Sequence, residues 1–243
     1  MAGHSKWAKV KRLKGALDVK RSKIFSKLSR EITVAAKIGG GDPDMNPRLR
    51  MVLFKCRGAN MPADNIDRAI KKGTGGGEDA NFEDLTYEIY APHGVALLVE
   101  VSTDNRNRTA ADVRSLVTKS GGSIATTGSV TRLFHRKGQI IISKDSANED
   151  KLMELALEAG AEDFKVEGEG FEILTEPVNF EAVHKKIEVA GIKCEVAEIT
   201  SLPTLTVPLS GESNIAAVNK LIEGLEDHDD IKEVYSNADF ADA

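Results

Sequence analysis

The sequence predicts an α+β protein of three domains: a basic N-terminal helical domain and two ferredoxin-like α/β domains, one inserted into the other. Three observations carry this expectation. Apolar residues recur at three- and four-residue steps up to about residue 72 and then give way to short strand-like runs. From Gln139 to Ile199 the order of those runs is β-α-β-β-α-β, the split ferredoxin-like unit. The segments flanking it are too small to bury separate cores, so they are expected to pack on each other around an insertion. The expected domains are residues 1–77, 78–136 with 203–243, and 137–202.

Charge divides at the same place. Residues 1–77 hold 18 Lys and Arg against 6 Asp and Glu, a net +12, and the remainder carries −17, which together make the chain's −5. An argument from net charge alone would reject nucleic acid as a partner, whereas the division supports one for the first domain and opposes one for the rest. The density is highest from Gly3 to Arg30, where ten cations face the single acid Asp18. Like charges this close repel unless a polyanion neutralises them. That stretch therefore reads as a phosphate-facing surface.

Cys56 and Cys194 form no CxxC pair and have no nearby His pair, which fits a reduced cytoplasmic protein without a metal site. No apolar run approaches a membrane span, and the first residues lack the apolar core of a secretory signal. A transit peptide would also be basic and poor in acids, but this stretch is rich in Lys rather than Arg.

In chain order, Ile24, Phe25, Leu28, Ile32, Ala35 and Ala36 predict an amphipathic helix ending near Gly39 to Gly41, with Lys23, Lys27, Arg30 and Lys37 on its other face. Asn46 reads as the cap of a second helix with Pro47 at its first position, Leu49, Val52, Leu53 and Cys56 inward, and Arg48, Arg50, Lys55 and Arg57 elsewhere. A third helix starts near Pro62 and buries Ile66, Ala69 and Ile70. Arg68, Lys71 and Lys72 stand near its end, Gly73 is its stop, and Thr74 to Gly77 form a hinge. Strands are expected at Tyr87–Tyr90, Val95–Val101, Ser129–Phe134 and Gln139–Ser143, with a helix at Thr109–Lys119. Helices at Asn148–Ala159 and Asn179–Ala190, and strands at Asp163–Glu167, Phe171–Glu176 and Cys194–Ile199, complete the inserted unit. Strand Thr204–Leu209, helix Ser213–Leu225 and strand Ile231–Tyr235 close the chain.

The candidate nucleic-acid contacts are Lys6, Trp7, Lys9, Lys11, Arg12, Lys14, Lys20, Arg21 and Lys23 in the arm, Arg48, Arg50, Arg57, Arg68, Lys71 and Lys72 on the helices, and Arg106 and Arg108 beyond them. Lys and Arg contact backbone phosphate, which gives affinity and salt dependence but little sequence preference. Trp7, the only tryptophan, has two readings: stacking on a base or sugar, and packing as an anchor for the arm. A helix-turn-helix is allowed by helix count, with no spacing that marks a recognition helix. The polar run Asp104 to Thr109 at a strand-to-helix junction is either a phosphate clamp of two arginines at a helix start or a cap by Asn107 or Thr109 plus surface charge. Arg114, Arg132, Arg136 and Lys137 add positive charge nearby.

The glycine runs follow helices and lack the Gly-Lys-Ser/Thr continuation of a phosphate-cradling loop, so they read as helix stops. The five histidines stand at no spacing telling of a nucleophile or a paired acid and base, so no enzyme activity and no cofactor are expected. The acidic run Glu226, Asp227, Asp229 and Asp230 reads as a solvated loop, or a surface for a basic protein.

Four segments, MAGHSKWAKVK, GGGDPDMNPRLR, NMPADNIDRAIKKGTG and DNRNRTAADVR, together resemble the YebC/PmpR family, which is related to the mitochondrial translational activators of cytochrome oxidase. These motifs run from Met1 to about Phe134, and the later order of elements is compatible with the family over the full length. The resemblance implies a helical first domain and two α/β domains. It also implies a cytoplasmic DNA-binding transcriptional regulator, or alternatively a ribosome-associated translation factor that relieves stalling at proline-rich sequences. The partner would then be DNA, or ribosomal RNA and tRNA on the ribosome. Cations with one aromatic suit either nucleic acid. The acidic remainder mildly favours a partner of mixed charge such as the ribosome. Oligomeric state has no signal in the sequence.

Overall fold

The computed structural model describes residues 21–75 and 82–240. In chain order it opens with helices α1 (Arg21–Gly39), α2 (Pro47–Gly58) and α3 (Ala63–Thr74), then β1 (Glu83–Tyr90), β2 (Ala96–Thr103), α4 (Arg106–Lys119) and the short β3 (Ser123–Ile124). There follow β4 (Phe134–Ser143), α5 (Glu149–Glu158), β5 (Asp163–Glu167), β6 (Gly170–Thr175), α6 (Phe180–Val189) and β7 (Val196–Pro203). The chain closes with β8 (Val207–Leu209), α7 (Glu212–Glu226), β9 (Ile231–Ser236) and β10 (Ala238–Phe240). The class is α+β. Two compact units divide the described residues, one inserted as Phe134–Thr204 and the other formed by those from Arg21 to Leu133 and after Thr204.

In the outer unit, α1 buries Leu28, Ile32 and Ala35 against Leu49, Val52 and Cys56 of α2 and Ala69 of α3. Asn46 caps α2 by accepting from the Leu49 amide at 3.0 Å, and its Nδ2 donates back to the carbonyls of Ala35 and Gly40 at the end of α1. One buried side chain thus stops one helix and starts the next. Gly73, expected as a stop, lies inside α3. A Cβ there would come within 2.5 Å of the Thr33 carbonyl oxygen, so the glycine allows α3 to approach α1 closely.

The sheet of this unit has strand order β3-β1-β2-β9 with antiparallel pairing throughout. Ile89, Leu97, Val99, Val101 and Ile231 on one face pack with Val113 and Val117 of α4 and Val218, Leu221 and Leu225 of α7. The opposite face carries Asp84, Leu98 and Glu233, and α2 reaches it through Arg48–Asp84 and Lys55–Glu233 ion pairs at 2.7 and 3.0 Å. The β2–β9 register shifts after Glu100, leaving Lys232 as the extra residue of a bulge, and Lys232 Nζ lies 3.2 Å from Asp84. A parallel pair, β8 with β10, completes the unit. β10 had no signal in the sequence.

The expected strand over Ser129–Phe134 does not form. Glu88 takes the amides of Gly128 and Val130, both at 2.5 Å, and of Thr131 at 2.8 Å. Those donors are lost to any ladder, so the segment turns through a 3₁₀ step at Thr131–Leu133 and β4 starts at Phe134. The inserted unit's sheet order is β5-β6-β4-β7, all antiparallel, which is the ferredoxin-like arrangement of a β-α-β-β-α-β chain. Ile140 with Ile173 and Ile142 with Phe171 pair on one buried face, while Leu152 of α5 and Phe180, Val183 and Ile187 of α6 are buried from the helical side.

Candidate nucleic-acid interface

Lys23, Lys27 and Arg30 follow one another at four and three residues, which places them along one side of α1. That side meets the loop from α7 to β9. Lys23 Nζ lies 3.2 Å from Asp227 Oδ1, with both side chains about half exposed. Lys27 Nζ donates to the carbonyls of Glu226 at 2.6 Å and Ile231 at 2.7 Å. Burial lowers its pKa despite the acids around it. Arg30 Nη1 reaches Asp230 Oδ1 at 2.6 Å and the Asp229 carbonyl at 3.1 Å, and its guanidinium stacks 5.4 Å from the centre of the Phe82 ring.

Asp230 gathers this network. Only 3% exposed, its Oδ2 accepts from Thr109 Oγ1 at 2.7 Å and Arg108 Nη2 at 2.8 Å, with Thr103 Oγ1 at 3.2 Å. Its amide donates to His228 Nδ1 at 3.1 Å. Burial opposes the charge, but the donors from Arg108, Thr109 and Arg30 outweigh it and hold the carboxyl well below the ordinary range. In the acidic run expected to be a solvated loop or a surface for a basic protein, Asp227 and Asp229 are exposed, whereas Asp230 is a buried structural junction. At α4, Asn105 rather than Asn107 or Thr109 is the cap, accepting from the Arg108 amide at 3.1 Å. Arg108 is held by Asp104 and Asp230, so it faces carboxylates of its own chain.

The other predicted contacts fall into three groups. Lys6, Trp7, Lys9, Lys11, Arg12, Lys14 and Lys20 lie outside the described residues, and Arg21 opens α1. Arg48 pairs with Asp84, and Arg50 donates to the carbonyls of Pro43 and Asp44. Arg57, Arg68, Lys71, Lys72 and Arg106 are exposed and make no ion pair with another described residue. Arg68, Lys71 and Lys72 share one side of α3 by their three- and four-residue spacing, opposite Ile66 and Ile70, which pack on the core, and stand in its last turns, where the helix dipole favours cations. Among the described residues, no carboxylate has to be released for this outward cationic side to take phosphate.

Lys55 was not singled out as a contact by the sequence, and it points inward between Glu233 at 3.0 Å and Glu31 at 3.7 Å. Burial works against its charge, but Glu233 and Glu31 raise its pKa well above the usual lysine value. In the inserted unit, Lys137 pairs with Glu162 at 2.6 Å and also with Glu176. Burial pushes the Cys56 thiol up to about 11 and Cys194 to about 12, so both stay protonated at neutral pH. Among the described residues no group of His, Cys, Asp and Glu is placed to hold a metal, and no helix is long and apolar enough to cross a membrane.

Known proteins match this architecture along the whole chain. Residues 5–76 match the profile described as the TACO1/YebC protein N-terminal domain, and residues 82–238 that of the TACO1/YebC second and third domain. A protein of Desulforapulum autotrophicum named "probable transcriptional regulatory protein" is 53% identical over 242 residues, spanning 100% of this chain and 98% of that one. A protein of the same name from Rubrobacter xylanophilus is 51% identical, with 100% and 97% covered. The crystal structure of a conserved hypothetical protein from Aquifex aeolicus superposes with a TM-score of 0.81 at 44% identity, over 93% of each chain. With both profiles placed in order along one chain, and full-length relatives at about half identity, this protein belongs to the TACO1/YebC family.

Proposed function

We propose that this protein is a non-enzymatic, nucleic-acid-binding regulator of gene expression, acting in the cytoplasm as a DNA-binding transcriptional regulator. The observation that carries the reading is the side of α3 bearing Arg68, Lys71 and Lys72, exposed and without an ion pair to any described residue in a chain of net charge −5. Together with Arg57, Arg106 and the cationic arm containing Trp7, it supplies phosphate contacts, while the α/β domains position the first domain. The domains are residues 1–77, 78–136 with 203–243, and 137–202. The relatives' names, probable transcriptional regulatory proteins, support the regulatory role.

The test uses the full chain. Binding to promoter duplex, random duplex and ribosomes is measured over a series of salt concentrations, beside the variant Arg68→Gln/Lys71→Gln/Lys72→Gln. The reading expects promoter duplex to be preferred and the salt slope of the variant to fall by about one for each phosphate contact removed. Ribosome co-sedimentation with relief of stalling on a poly-proline template, and no promoter preference, would replace it with the translation-factor reading.

A further inference from the structure

We propose that the loop joining α7 to β9 is an internal competitor of nucleic acid: Asp227 and the carbonyls ending α7 occupy the cations on the outer part of α1 that phosphate would otherwise take. The inference rests on the nucleic-acid reading above and concerns how that binding is restrained.

The contact between α1 and the loop has two parts of different strength. At its inner end Arg30 meets Asp230, a buried carboxylate also held by Thr109 and Arg108. At its outer end Lys23 meets Asp227 at 3.2 Å, and the two side chains are 51% and 50% exposed. Between them Lys27 donates to the carbonyls of Glu226 and Ile231, and Lys23 Nζ also lies 3.5 Å from the Asp227 carbonyl. α1 therefore directs its cations at the C-terminal end of α7, where unpaired carbonyls and the dipole present negative charge.

An exposed ion pair contributes little and is screened by salt, whereas a phosphate polymer gains by releasing its condensed counterions when a lysine replaces them. Phosphate can thus displace Asp227 from Lys23 without unseating Arg30 from Asp230. Lys23 also continues the cationic run Lys20-Arg21 in the sequence. Asp229 is the natural control. Its side chain is exposed and makes no ion pair with a described residue, although its carbonyl accepts from Arg30 and its charge, like that of Asp227, acts on Lys27.

The experiment measures anisotropy of a labelled random duplex and a labelled single-stranded RNA with the full chain over a range of KCl. Asp227→Asn is expected to bind about two- to five-fold tighter, the worth of one exposed pair, with a salt slope steeper by about one. Asp229→Asn, of equal charge, is expected to keep the original slope. Asp227→Asn/Lys23→Gln is expected to lose the gain, because the released cation is gone. In hydrogen exchange on the unsubstituted protein, bound nucleic acid is expected to speed the amides of Asp227 and His228 while leaving Ser102, which donates to the Asp230 carbonyl, unchanged.

An Asp227→Asn protein that binds with unaltered affinity and slope overturns the competition, as does a gain that survives loss of Lys23 or appears equally in Asp229→Asn. Unchanged exchange at Asp227 and His228 under saturating nucleic acid overturns it too. If neither the unsubstituted chain nor any variant binds in a salt-dependent way, the nucleic-acid reading itself fails and the competition falls with it.

Discussion

Arg30 and Asp230 meet at 2.6 Å across 200 residues of sequence, joining α1 to the loop before β9. The pair is more than a surface contact because Asp230 is buried and also receives Thr109 and Arg108. Asp230→Asn removes the charge while leaving Arg30 and Arg108 aimed at it. Breaking one side of a buried, hydrogen-bonded charge network is expected to cost about 3–5 kcal/mol, read as a lower urea midpoint at unchanged slope.

The same carboxyl sets an acid limb of stability. Its folded pKa lies below the ordinary aspartate value of about 3.9, so the unfolded chain binds the proton first as pH falls. The stability it contributes is fully present above that ordinary value and is lost as pH drops towards the folded one. Urea midpoints of the unsubstituted protein should therefore decline below about pH 4, and the Asp230→Asn curve should decline less. Parallel curves would mean that Asp230 does not supply this limb.

Asn46 gives a second prediction with an internal check. Asn46→Ala removes the cap on Leu49 and leaves the carbonyls of Ala35 and Gly40 without their donor. About 2–4 kcal/mol of destabilisation is expected from the lost cap and the unpaired groups together. Asn46→Asp can still accept from Leu49, but it turns an acceptor towards two carbonyls. It should therefore fail to rescue, which a role limited to capping would not predict.

These examples also mark what could be read in advance. Asn46-Pro47 and the Arg68, Lys71 and Lys72 side of α3 were legible because cap, proline and helical spacing are local signals. Asp230 was not, since its partners Arg108 and Arg30 lie 122 and 200 residues away, and an acidic run before a strand looks the same whether solvated or clasped. Cations on α1 and α2 could be counted from the sequence, but not which carboxylate each one meets. Thus Arg48 and Lys55 turn to the sheet while Arg68 turns outward. Ser129 to Leu133 misled because a short run containing Val130, Thr131 and Leu133 says nothing of an acid from β1 taking the backbone donors.

That acid, Glu88, can be tested directly. Burial disfavours its charge, yet the amides of Gly128, Thr131 and Val130 outweigh burial and keep its pKa below the ordinary glutamate value. Glu88→Gln would offer one amide oxygen and an unwanted donor in place of two charged acceptors. A loss of about 1–3 kcal/mol is expected, with faster hydrogen exchange confined to residues 128–131. Uniform acceleration across the sheet would mean that Glu88 supports the fold generally rather than this turn.

The packing of α3 on α1 turns on Gly73, where two effects of opposite sign compete. Alanine raises helix propensity by about 0.8–1.0 kcal/mol over glycine in a helix interior, and less near an end. Against this, the new Cβ would stand 2.5 Å from the Thr33 carbonyl oxygen and 2.8 Å from the Ala36 Cβ, and neither neighbour is the free end of a flexible side chain. Relieving such overlap moves backbone, at about 1–3 kcal/mol, so Gly73→Ala should be net destabilising by up to about 2 kcal/mol. Thermal melts of Gly73→Ala and of Gly58→Ala, a helical position whose Cβ would meet nothing within 4 Å, separate the two effects. Equal stabilisation of both proteins would show that α1 and α3 are not held at this distance.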